Sequence, residues 1–181
     1  QDTLGLVHAF QGNFKAAKAC YEKALAIHHQ LHNQRGMGYV LTHLGYTLVQ
    51  LQEWAEAGDV LEQALTIRQK DEKNGLLMDT LAGCALVALA YAKKEEALAY
   101  VHKILGWIER HGITGIEFPG QVYLVCWQVL QALGAGQRIA ESQADAVLAA
   151  GYQCLKERAE RVEDAQFRRT LMQNIPFHRE I

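Results

Sequence analysis

Three histidines stand close together at His28, His29 and His32, and the i,i+4 pair His28 and His32 shares one helix face, the spacing with which two imidazoles hold a metal ion. No third ligand lies near them in the sequence. They read as an exposed helix end, where the dipole favours imidazole near the carboxyl terminus, and no metal is expected. The four cysteines, at positions 20, 84, 126 and 154, each fall inside an apolar helical stripe and form no close pair. They read as small buried hydrophobes, because a nucleophilic Cys84 or Cys126 would need a histidine base that no spacing supplies. Glu53/Glu56 and Glu95/Glu96 open two helices, where negative charge complements unsatisfied N–H groups, so they read as dipole partners rather than as acid and base. Gly36-Met37-Gly38 and Gly134-Ala135-Gly136 lack the further glycine or lysine of a phosphate loop. The alternating charges from Lys156 to Glu163 read as a solvated helix face. Neither catalysis nor a cofactor is expected.

Composition narrows the partners. A chain of 181 residues with a net charge of -2 has no broad positive field for phosphates, so neither nucleic acid nor an anionic membrane is expected. The most apolar run, Leu81 to Ala92, is shorter than the about 20 residues that span a bilayer, and no signal-peptide pattern opens the chain. A cytoplasmic location is expected. Gln1 opens the chain already inside a helical pattern without an initiator methionine, which reads as a piece of a longer protein.

The elements that must position any site are helices. Leu4-Gly5, Phe14, Ala17, Tyr21 and Ala24-Leu25 recur forty positions on as Leu44-Gly45, Trp54, Ala57, Leu61 and Ala64-Leu65, and an equal further shift reaches Ala97, Val101 and Ile104-Leu105. Self-similarity at such a period marks stacked repeats, each a hairpin that buries its apolar face only against its neighbours. Breaks at Gly12-Asn13, at Gly36 and Gly38, at Asn74-Gly75 and around Gly134 help to divide the chain into helices. Their expected spans are to Phe10, Phe14 to Leu31, Met37 to Leu51, Trp54 to Lys70, Leu76 to Tyr91, Lys94 to Arg110, Pro119 to Leu133 and Arg138 to Val162. In helix two the expected stripe is Ala17, Tyr21, Ala24 and Ala26-Ile27; in helix eight it is Ala149, Tyr152, Leu155, Ala159 and Val162. Residues 111–120, with three glycines and a proline, form the longest expected loop. Asp164 caps a short ninth helix, with Phe167, Leu171 and Ile175 along one edge.

These residues resemble the tetratricopeptide repeat. Repeat one carries Leu4, Gly5, Gly12, Phe14, Ala17, Tyr21 and Ala24, with His8 where the family places an aromatic. Repeat two carries Leu44, Gly45, Trp54, Ala57, Leu61 and Ala64, departing at Leu48 and Gln52. Repeat three keeps Ala97, and a fourth keeps Leu133-Gly134 and Ala140. A period of forty exceeds the family's common 34. The resemblance implies an all-α, right-handed superhelical solenoid of about nine helices, with hairpins over 1–33, 34–73, 74–112 and 117–163 and a capping helix and tail over 164–181. It further implies the C-terminal part of a larger bacterial signalling or regulatory protein, and a protein-interaction scaffold that holds a peptide or helix segment on its concave face. The expected partner is a protein or peptide, a domain of the same protein upstream of Gln1 included. A sensory domain for a small ligand or signalling peptide, controlling an upstream effector, is the alternative.

If Leu41, Leu44, Leu48 and Leu51 pack into the stack, then 100° per residue turns Tyr39, Thr42, Tyr46, Val49 and Gln50 the other way. In the family that other face is concave. The same register places Asp79, Ala82, Leu86 and Leu89 there from helix five, and Gln121, Leu124, Gln128 and Gln131 from helix seven. Tyr39, Thr42, Tyr46, Gln50, Leu86, Leu89, Gln128 and Gln131 are the expected partner contacts.

Overall fold

A computed structural model of the protein describes residues 1–70, 74–134 and 138–173. Among them it is all helical. The helices are α1 (Asp2–Phe10), α2 (Phe14–Gln30), α3 (Gln34–Gln50), α4 (Trp54–Arg68), α5 (Leu76–Ala90), α6 (Lys94–His111), α7 (Pro119–Gly134), α8 (Arg138–Glu160) and α9 (Ala165–Gln173). Each packs on its successor, and α1, α3, α5 and α7 also meet in sequence along one side. This is the stacked-hairpin solenoid that the period implies. α3 starts three residues before its expected Met37, because the Asn33 side chain accepts the Gly36 N–H and caps the helix earlier. No described helix is long and apolar enough to cross a membrane.

The turns share one device. After α1, α2, α3 and α5, a residue with positive φ stands at Gly12 (77°), His32 (51°), Gln52 (60°) and Ala92 (56°). In each, the next N–H reaches back to a carbonyl five residues earlier: Asn13 to His8, Asn33 to His28, Glu53 to Leu48, Lys93 to Ala88. Each is the Schellman termination, which satisfies the last carbonyls of a helix while reversing the chain. A turn thus falls every twenty residues or a multiple of it, and glycine is not required for it to form.

Close approach of neighbouring helices is set by small residues under large ones. Leu61 of α4 lies against Gly45 and Gly83, where an added Cβ would come within 2.4 Å and 2.8 Å of its side chain. Tyr21 covers Gly5 in the same manner. The Leu-Gly pair of each of the first two repeats is therefore the socket for the marker residue of the following helix. α5 is buried around most of its circumference, including Asp79 and Thr80.

Two stripes follow the expected one only in part: Ala17, Tyr21 and Ala24 of α2 and Leu155 and Ala159 of α8 are buried as expected, while Ala26, Ile27, Ala149 and Tyr152 are exposed. In α2 the inner face runs Ala17, Tyr21, Ala24 and then His28, while Ile27 is 45% exposed. His28 is no free helix end: its Nε2 donates to Asp2 Oδ2 at 2.9 Å and its Nδ1 accepts from Asn33 Nδ2 at 3.1 Å. In α8 the buried residues are Ala144, Val147, Gly151, Cys154, Leu155 and Ala159, leaving Tyr152 half exposed and Ala149 exposed. Small side chains rather than the aromatic face α7. Glu53 and Glu56 also do more than complement a dipole, since both carboxylates hold Lys18 Nζ of α2, at 2.5 and 2.7 Å. Those hydrogen bonds, Glu53 first, push the lysine further up its basic range.

Asp164 caps α9 through the Gln166 and Phe167 N–H groups. Phe167 itself stands 70% exposed, so its ring does not cover the preceding hairpin. The Leu171 side chain and Ile175 lie outside the described residues.

Candidate functional site on the concave face

α1, α3, α5 and α7, with Phe14 and Tyr21 of α2 and Phe118 just before α7, line an open hollow of about 160 Å³ on their shared side. Leu6, Phe10 and Phe14 form one wall, Leu86 and Leu124 the opposite one, and Gln50, Gln121 and Gln128 stand around it with their amides. Of the expected contacts, Gln50, Leu86 and Gln128 line this hollow together with Tyr46. Leu89 and Gln131 do not.

The remaining expected contacts are already engaged within the fold. Thr42 is buried; its hydroxyl donates to the Gly38 carbonyl at 2.9 Å, lies 2.8 Å from Thr80 Oγ1, and accepts from Arg68 Nε at 3.3 Å. Tyr46 is 9% exposed, and its hydroxyl donates to the Asp79 carbonyl at 2.9 Å, which leaves only a part of the ring on the floor of the hollow. Asp79 and Ala82, placed on the groove by the same register, are buried as well. α3 is a middle helix with neighbours on both faces, so a calculation that assigns one face to the stack and the other to solvent fails for it. Tyr39 is half-buried and faces a segment of the chain's own loop.

That loop is more than a connection between helices. Residues 112–118 run back from α6 across the concave side as a strap. Tyr39 Oη donates to Glu117 Oε1 at 2.6 Å, and His43 Nε2 lies 3.2 Å from Glu117 Oε2. The Asp79 carboxylate accepts the N–H groups of Glu117 and Phe118, both at 3.0 Å, immediately before α7 begins. Phe118 sets its ring edge-to-face against Phe10 of α1 (5.8 Å) and His43 of α3 (5.7 Å). Gly75 makes room for the crossing, because a Cβ there would stand 2.6 Å from the Gly115 carbonyl carbon.

Burial pushes the pKa of both carboxyls in this knot up, and their partners decide the outcome. For Asp79 burial dominates over its two amide hydrogen bonds and lifts the pKa to about 6. For Glu117 burial is outweighed by the hydrogen bond and charge of His43, together with the Tyr39 hydroxyl, and the carboxyl is held below its ordinary range. The Tyr39 phenol is pushed up, by burial first and then by Glu117. The Glu117 carboxylate is thus ionised and locked. An aromatic residue directly before a helix-opening proline, in a loop with three glycines, was the one sequence sign of the strap.

Among the described residues no group of three or more histidine, cysteine, aspartate or glutamate side chains forms a metal site. Cys84, Cys126 and Cys154 are buried and Cys20 is half-buried, all of them unpaired thiols. Burial lifts the Cys84 and Cys126 thiols to about 12, far from a reactive thiolate. No curated protein matches the chain. Residues 1–70 match the family model for the tetratricopeptide repeat, whose members generally mediate protein–protein interactions. With that match and the socketed Leu-Gly hairpins, the first two hairpins of this chain are similar to tetratricopeptide repeats.

Proposed function

We propose that the chain is an interaction scaffold that seats one bulky apolar side chain of a partner peptide or helix in the concave hollow. The observation that carries this reading is the hollow itself. A cavity of about 150 Å³ accommodates a benzene ring, whereas sites for drug-sized molecules run to about 300–1,000 Å³. At about 160 Å³ the hollow suits an anchoring side chain better than a free metabolite, which favours the scaffold over the small-ligand sensor. Its wall is aromatic and aliphatic, and Gln50, Gln121 and Gln128 offer both amide donors and acceptors to a partner backbone. No lysine or arginine lines it, so a carboxylate-terminated ligand is disfavoured.

In this reading the scaffold is part of a larger cytoplasmic regulatory protein, whose other domains are candidate partners. The test is site-specific photo-crosslinking from Gln50, with Glu22 on α2 as the control position, followed by calorimetry on the crosslinked segment. Leu86→Trp fills the hollow and is expected to weaken that segment about tenfold or more, at an unchanged melting temperature. Unchanged affinity in that variant would remove the hollow as the anchor site.

A further inference from the structure

A second recess opens on the side of the solenoid away from the hollow. α4 and α6 both pack on α5 and leave a trough between them of about 460 Å³. Its depth has a local cause: α4 presents Ala55 and Gly58, and α5 presents Cys84 and Ala88, where larger side chains would fill the space. Aromatic rings stand along it at Trp54, Tyr91 and Tyr100, and Tyr91 is 51% exposed. Carboxylates rim it at Asp59, Glu62 and Glu96, all three exposed. Glu96 is tied to Lys93 Nζ at 3.3 Å and to the Tyr100 hydroxyl at 3.2 Å, whereas Asp59 and Glu62 have no ion pair among the described residues. Three negative charges face one positive charge over apolar walls.

The field of these carboxylates reaches the floor. The buried Cys84 thiol is pushed up by burial and then by Glu96 and Glu62, and the same two glutamates add to the rise of Tyr100. A cation placed there gains from the rings as well as the charges.

We infer that the α4–α6 trough is a docking surface for an arginine-bearing segment of a partner protein. Arginine fits better than lysine, because a planar guanidinium stacks on aromatic faces and pairs with carboxylates through two N–H groups at once. Its aliphatic stem would cover Gly58 and Ala88. The concave hollow has aromatic walls but no carboxylate among its lining residues, so the two surfaces select different chemistry and the trough stands whether or not the hollow seats a partner.

The test titrates the isotopically labelled chain with the neutral-ended peptide acetyl-Gly-Arg-Gly-Arg-Gly-amide and follows the Trp54 indole N–H and the Gly58 amide by NMR. Saturable shifts centred on these two groups are expected. Asp59→Asn combined with Glu62→Gln is expected to weaken binding about fivefold or more at an unchanged melt, and the lysine counterpart to bind about threefold more weakly than the arginine peptide. Tyr91→Ala, which leaves every charge in place, is expected to weaken the arginine peptide too. The inference is overturned by shifts centred elsewhere, by equal affinity in the doubly neutralised chain, or by lysine binding as well as arginine. Spermine matching the arginine peptide would also overturn it, in favour of a small polycation.

Discussion

At the scale of single residues, Asp79 holds two amide N–H groups with a carboxylate closed off from water, and the two roles pull in opposite directions. Its pKa is near 6 in the fold, above the unfolded carboxyl near 3.8. An acid raised in this way binds protons more tightly when folded. Its contribution to stability is therefore greatest at low pH and falls as the pH rises from about 4 to about 6, by at most about 3 kcal/mol. Glu117 has the opposite sign: its lowered carboxyl stabilises above its unfolded pKa of about 4.5, and that contribution is lost only as the pH falls below it. Urea unfolding at pH 5 and pH 7 separates them. The native chain is expected to gain more stability on moving from pH 7 to pH 5 than Asp79→Asn does. Identical changes in the two proteins would mean that the carboxylate is not strained by burial.

The helices and their turns were the most legible level in the sequence, because their signals are local. Helix boundaries followed from caps, Pro119 and periodic stripes, and the ends of the first eight helices fall within two residues of the observed ones. What was not legible was which face of a middle helix meets a neighbour. Tyr39, Thr42 and Tyr46 share an amphipathic register with Gln50, yet only contacts with α5 and the strap decide that Thr42 and Tyr46 are inside and Gln50 outside. Tyr152 misled for a similar reason: apolarity argued for the core, while α7 accepts small side chains at that crossing. The turns also hid from a search for glycine, since His32, Gln52 and Ala92 hold positive φ without it. A left-handed residue with a Cβ carries a cost of roughly 1–2 kcal/mol, partly offset by the entropy that glycine loses on folding. Ala92→Gly is accordingly expected to stabilise the chain by about 0.5–1 kcal/mol, read from chemical denaturation. A loss of stability there would show that the Ala92 methyl packs rather than strains.

In the whole molecule, an array of hairpins that touch only their neighbours loosens from its ends, unit by unit. The strap changes this, because Phe118 and Glu117 tie the third connection back to α1 and α3 across more than seventy positions. Opening the first hairpin then requires breaking contacts that belong to the start of α7. Hydrogen exchange is expected to show α1 amides protected to nearly the same free energy as those at the start of α7. In Phe118→Ala the α1 amides should lose about 1–3 kcal/mol of protection while α8 is unchanged. Independent protection of α1 in both proteins would leave the strap as a local loop only.

The same strap has a consequence for how such a chain can change length over generations. Turns that recur at multiples of twenty residues let a whole hairpin be duplicated or lost without disturbing the phase of the rest. A hairpin inserted between α4 and α5 would nonetheless carry Phe118 a full repeat away from Phe10 and His43, and leave Glu117 without Tyr39. Duplications before α1 or beyond α7 meet no such obstacle. The strap is thus a ruler that fixes how many repeats lie beneath it, and lineages of this chain are expected to vary in length at the ends while the span from Phe10 to Phe118 stays constant.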